Sequence, residues 1–251
     1  MNKSMIVAMW DIKNALTVKL VKYGLALATI FGPALNIIMI VGIALVTPPD
    51  VIIELMGFMY PMVASMLAIF ALIPTTMISA NALVGEREQN TLEPLLCTPL
   101  TDKQLLWGKT LSSAIPSLIV LVISVAFTFI GVNVGLLILG YPLMMIPDIP
   151  GLFLLFTAVP VTIFALVAVM ILISGRVTRV YEAYQSTSAV VIVFIIPMMI
   201  PMFSIDQNGM ADQSLVWLTN IVTLIIAVVI FAVAWSLAIS RFNRDKLVSL
   251  V

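Results

Sequence analysis

The chain has 251 residues, of which 62% are hydrophobic and only 10% are charged, a composition that excludes a soluble globular domain. Twelve basic residues balance twelve acidic ones, so the net charge of zero gives no indication of a nucleic-acid or other polyanionic partner. We therefore expect an all-α polytopic membrane protein that contacts the lipid bilayer and does not bind nucleic acid.

Residues 1–23 predict an amphipathic helix that lies at the membrane interface. Asp11 and Asn14 fall opposite an apolar face, and four lysines can reach lipid headgroups. The residues of that apolar face are Met5, Met9, Ile12, Leu16 and Leu20. The alternative is a loosely ordered basic tail.

Six apolar segments follow, and residues 24–251 therefore predict one six-span transmembrane domain. Each segment contains the roughly 20 residues that a helix needs to cross a bilayer. Pro197 and Pro201 predict an interruption near the end of the fifth span. The segments cover approximately residues 24–46, 57–84, 110–140, 151–174, 185–204 and 215–240.

Basic residues are confined to alternate connections. All twelve lie before the first span, between spans two and three, between spans four and five, or after span six. In the remaining three connections all of the charged residues are acidic: Asp50, Glu54, Asp148, Asp206 and Asp212. By the positive-inside rule, both termini and the connection between spans two and three are cytoplasmic.

That connection, residues 85–109, concentrates seven charges and predicts two helices. Thr91 or the preceding Asn90 can cap a short first helix, which Pro99 ends. Its apolar edge consists of Leu92, Leu95 and Leu96, at i, i+3 and i+4. Such an edge suits a groove on a partner protein. Thr101 and Gln104 have the spacing of a capping box, so a second helix should begin there and continue into span three.

The spans contain few residues that could catalyse a reaction or bind a metal ion or a nucleotide. As drawn, the six segments contain no Asp, Glu, Lys, Arg or His, and Lys109 lies just outside the third. The chain has no His, one Cys and no complete phosphate-binding glycine motif, so we expect no enzymatic activity, no metal site and no nucleotide site in this chain. Polar residues within the spans, including Asn36, Ser65, Ser124 and Asn133, either line a path or join helices by hydrogen bonds.

The run VGEREQNTLEPLLCTPLTDKQLLWGK resembles the cytoplasmic loop of ABC-2 type transporter permeases. In that family the loop forms a coupling helix that binds a separate ATP-binding subunit. The resemblance implies that the coupling residues here are Glu86, Arg87, Glu88, Thr91, Leu92, Glu93, Leu95 and Leu96. Asn90 departs from the pattern, in which Gly is expected.

The resemblance further implies a permease subunit of an ATP-binding-cassette exporter in the plasma membrane of a prokaryote. Two identical or related subunits would form the translocation path, and ATP and Mg²⁺ would bind to the partner ATPase. The substrate is left open among drugs, lipids and sodium. Two alternatives from other classes are a passive channel and a membrane scaffold without ATP coupling.

Overall fold

A computed structural model describes residues 3–85, 88, 101–174, 177, 179–203 and 211–241. Within these ranges the chain forms seven helices. The helices are α1 (Lys3–Ala15), α2 (Lys19–Val46), α3 (Pro49–Ala80), α4 (Asp102–Ile138), α5 (Ile149–Ser174), α6 (Val180–Phe203) and α7 (Gln213–Arg241). A π turn, Asn81–Gly85, follows α3, and a second, Leu154–Ala158, lies within α5.

Six of these helices, α2 to α7, are long and apolar enough to cross a membrane, which confirms the predicted all-α, six-span fold class. Helix α4 begins at Asp102, as the predicted second helix of the 85–109 connection requires, and continues without a break into span three. The predicted capping box explains that start. The Gln104 amide donates to Thr101 Oγ1 at 3.3 Å, and Gln104 Oε1 accepts from the Thr101 amide at 3.1 Å.

The predicted interruption of the fifth span is wrong. Helix α6 continues through Pro197 and Pro201 to Phe203, and both prolines are buried against neighbouring helices. A proline removes one helical hydrogen bond, but packing within a membrane bundle can hold the helix together across that gap.

Helices α3 and α5 form the centre of the bundle, and the other spans lie around them. Leu67 and Leu72 of α3 and Leu155 and Ile163 of α5 are almost completely buried in one apolar cluster. The outer spans expose large apolar side chains, such as Ile38 on α2 and Ile130 on α4. In a bilayer these side chains contact lipid, so their exposure is compatible with stability.

Helices α2 and α4 approach each other closely at two glycines. Gly131 and Gly135 are one turn apart on α4, and they face Ile37 and Val41, which are one turn apart on α2. A Cβ atom added to either glycine would overlap the facing side chain. This is the Gly-x-x-x-Gly arrangement of membrane helices, in which small residues allow close van der Waals packing.

We expect Gly135→Ala to destabilise the protein by about 1–3 kcal/mol, because Val41 is branched close to its backbone and must move to admit the new methyl group. Gly42→Ala on α2 is the matched control, since nothing lies within 4 Å of a Cβ added there. Thermal unfolding in detergent measures both effects. Equal melting temperatures for the two variants would contradict the packing interpretation.

Candidate functional site at the ends of the 85–109 loop

Most of the predicted coupling residues lie outside the described residues, and their roles stay predictions. These are Glu86, Arg87, Thr91, Leu92, Glu93, Leu95 and Leu96. Glu88 is described: it is exposed, and its Oε2 accepts from the backbone N–H of Val180 at 3.1 Å. Val180 is the first residue of α6, where backbone amides lack helical partners and a negative charge is favourable. Glu88 therefore connects the loop to the start of α6.

The two ends of the loop meet at Lys109. Lys109 Nζ donates to the carbonyl oxygen of Ala82 at 2.9 Å. Ala82 lies in the π turn where α3 ends, whereas Lys109 lies two turns into α4. The Lys109 side chain therefore connects the end of α3 directly to the first turns of α4.

Lys109 also forms an ion pair with Asp11 of α1. The Lys109 Nζ atom lies 3.2 Å from Asp11 Oδ2, and the two residues are only 3% and 4% exposed. This corrects the view of Lys109 as a residue at the edge of a span, since it is buried within α4. Because Lys109 also bonds to the Ala82 carbonyl, this pair connects helix α1 to both ends of the loop.

Burial raises the pKa of the Asp11 carboxyl group, because it removes the charged form from water. The positive charge of Lys109 and hydrogen bonds from Lys109 and Ser112 oppose that rise. Each charge therefore depends on the other, because a buried charge without its partner is costly by several kcal/mol.

Helix α1 packs closely on α4 around this pair. A Cβ added to Gly108 would lie 3.0 Å from Val7 Cβ and 3.1 Å from the Ser4 carbonyl oxygen, so glycine permits the approach. Asp11 does lie opposite the predicted apolar face, as expected. That apolar face, however, is the outer one: Met5, Met9 and other members are exposed, whereas the face that bears Asp11 is buried. Contact of the outer face with lipid headgroups stays a prediction.

Further contacts join the neighbouring helix ends. The Asn81 side-chain amide donates to the Tyr184 hydroxyl oxygen of α6, and that hydroxyl donates to the Met77 carbonyl oxygen of α3 at 3.3 Å. The rings of Trp107 on α4 and Trp235 on α7 lie 4.6 Å apart. The ends of α3 and α7 and the starts of α4 and α6 are therefore gathered at one end of the bundle.

Sequence reasoning missed the Asp11–Lys109 pair. The two residues are separated by nearly a hundred positions, and the local pattern around each one gives no indication of the other. The only usable signal was a lysine in an otherwise apolar stretch, since a buried lysine requires a partner. As a whole, the site supplies mechanical linkage between helices, and its charges serve to hold α1, α3 and α4 together.

A family model described as ABC-2 family transporter protein matches residues 51–215, which include α4, α5, α6, most of α3 and the loop between α3 and α4. No curated protein matches the chain.

Proposed function

Because this chain belongs to the ABC-2 transporter family, we propose that it is the permease subunit of an ATP-binding-cassette exporter. Two such subunits, identical or related, form the translocation path between them. A separate ATP-binding subunit binds ATP and Mg²⁺ and drives transport through the 85–109 loop. The substrate classes that family resemblance implies are drugs, lipids and sodium.

The observation that carries the coupling proposal is the position of Lys109. A partner that displaces the loop would act on α3 and α4 together, because Lys109 joins the Ala82 carbonyl to α4. It would also move α1, through the ion pair with Asp11. Displacement of one rigid unit against the rest of the bundle is a recognised way to couple a distant site to a membrane path.

The distribution of charge supports a cytoplasmic position for this end of the bundle. The helix ends that carry the basic residues lie together at one end of the bundle. Lys109, Glu88 and Trp235 form contacts between them there. At the other end, Asp148 accepts from the Gly151 amide at the start of α5, and Asn220 of α7 donates to the Pro150 carbonyl. By the positive-inside rule the proposed orientation places both termini and the loop in the cytoplasm of a prokaryotic cell, with the spans in its plasma membrane.

The test is co-purification from membranes in which the tagged chain is expressed together with candidate ATPases that carry nucleotide-binding motifs. We expect one of them to be retained, and ATP hydrolysis by that complex to respond to a transported substrate. If the purified chain alone gives a conductance in reconstituted bilayers, without any ATPase, it is instead a passive channel. A complex whose ATP hydrolysis responds to no substrate would favour a scaffold.

A further inference from the structure

The connection between α4 and α5 has the composition of a membrane span. Residues 139–147 read LGYPLMMIP and contain no charged side chain. The connection between α6 and α7, at the same end of the bundle, contains Asp206 and Asp212. Large apolar side chains on a surface mark a site of interaction, so the α4–α5 connection needs a different environment from its neighbour.

Helix α4 ends in a turn that reverses the chain. Gly140 has a φ of 83°, in the left-handed region that glycine adopts without strain. The amides of Gly140 and Tyr141 each donate at 3.0 Å, to the carbonyl oxygens of Leu137 and Leu136 respectively. These two bonds form a Schellman motif, which closes the helix. The connection can therefore return along α4 instead of projecting beyond it.

Asn133 holds the returning chain against α4. Its Oδ1 atom accepts from the Met144 amide at 2.9 Å, and its Nδ2 atom donates to the Phe129 carbonyl oxygen at 2.9 Å. The second bond directs the side chain toward the preceding turn, away from the helix end. Asn133 precedes Ile138, the last residue of α4, and the five positions between them correspond to about 7–8 Å along the axis. The Met144 amide therefore lies more than one turn inside the end of the helix.

Contacts on both sides of Met144 fix the rest of the segment. The Tyr141 hydroxyl lies 3.3 Å from the Ala44 carbonyl oxygen at the end of α2, where carbonyls lack helical partners. Ile146 is completely buried in the apolar core. Between these two anchors, the side chains of Leu143 and Met145 are 69% and 54% exposed. The segment thus faces the core at its ends and presents two large apolar side chains outward.

The backbone of this segment also suits a place at the edge of the lipid. Unpaired backbone groups are costly where water is scarce. Pro142 and Pro147 have no N–H group, and the amides of Tyr141 and Met144 are bonded to α4. Few N–H groups of the segment therefore need water, and the headgroup region can supply it close to the end of the bundle.

We propose that the α4–α5 connection folds back into the lipid on the side of the membrane opposite the 85–109 loop. The side chains of Leu143 and Met145 lie among the acyl chains of that leaflet, and Asn133 is the residue that positions them. Lipid is the occupant that depth favours, because the segment lies beside the last turns of α4, which themselves expose Val134 and Leu137. The Tyr141 ring then lies at the headgroup level, where tyrosine is enriched.

The test measures the environment of residue 145 with a fluorophore. The full chain carries Cys97→Ala, which removes its native thiol, and Met145→Cys, which is labelled with the environment-sensitive dye NBD. Vesicles of phosphatidylcholine and phosphatidylglycerol contain the labelled protein, with or without a phosphatidylcholine that bears a nitroxide on its acyl chain. Iodide on both sides of the membrane is the aqueous quencher. Ile130→Cys, exposed in the middle of α4, and Ser214→Cys, exposed at the start of α7, are the lipid and water references.

The label at residue 145 should behave like the lipid reference. We expect blue-shifted emission, strong quenching by the nitroxide lipid and little quenching by iodide. Quenching by iodide to the extent seen at residue 214 would overturn the proposal, because the segment would then lie in water. Protection from both quenchers would also overturn it, since a second copy of the chain or another protein would then cover the segment.

Asn133→Leu tests the positioning role in the same labelled chain. This substitution removes the acceptor of the Met144 amide, so most of the nitroxide quenching at residue 145 should be lost and iodide quenching should increase. Asn133→Asp keeps a side-chain oxygen at that place and should preserve the native quenching. If Asn133→Leu quenches as the native residue does, Asn133 does not position the segment. None of these measurements requires an ATPase, so their outcome is independent of the proposed transport function.

Discussion

Changing Leu92, Leu95 and Leu96 together to Ser is expected to abolish retention of the ATPase during purification. These leucines form the predicted apolar edge of the coupling helix, at positions that suit a groove on the partner. Burial of each leucine side chain contributes about 1.5–3 kcal/mol, so loss of all three should weaken binding by roughly a thousandfold or more. The measurement is the amount of ATPase that co-purifies with the tagged chain, at matched expression and membrane insertion.

The control for this variant is a pair of substitutions at the opposite end of α4. Leu143 and Met145 are exposed apolar residues in the connection that follows that helix. Changing both to Ser removes apolar surface but leaves the loop intact, so ATPase retention should be unchanged. If the loop variant retains the ATPase as well as the native chain does, residues 92–96 are not the coupling edge.

Lys109→Met is expected to destabilise the protein by about 3–5 kcal/mol, because it leaves the Asp11 carboxylate buried without a counter-charge. It also removes the hydrogen bond from Lys109 to the Ala82 carbonyl, so the two ends of the loop lose their direct connection. The measurement is the unfolding temperature in detergent, together with the yield of monodisperse protein.

Two further variants test whether the ion pair is the cause. Lys103→Met removes an exposed lysine of the same helix and should change stability little. Combining Asp11→Leu with Lys109→Met removes both charges and should recover much of the loss, because no unpaired charge then remains in the interior. A double variant as unstable as Lys109→Met alone would show that the charges themselves are not what the single substitution disturbs.

The Asp11–Lys109 pair also makes the stability of the folded chain depend on pH. The pKa of Asp11 is raised in the folded chain, chiefly by burial, so the folded state holds this proton more tightly than the unfolded state does. The contribution of Asp11 to stability is therefore fully present below its ordinary pKa and declines as pH rises through the raised value. The hydrogen bonds and charge of Lys109 limit this decline by stabilising the carboxylate.

Local sequence patterns determined most of the fold. Six long apolar segments predicted six spans because a helix must satisfy its own backbone in a bilayer. The capping box at Thr101 and Gln104 was predictable because both groups lie within one turn. The family followed from the GEREQNTLEPLL run in the loop, and the family match independently covers that run.

The tertiary structure decided which residues meet. Asp11 and Lys109 are distant in sequence, and the continuity of α6 through Pro197 and Pro201 depends on packing. Helix formation depends on neighbours within a turn, so the chain itself predicts it. Pairing of buried charges and polar groups depends on how helices pack, which only the folded bundle specifies.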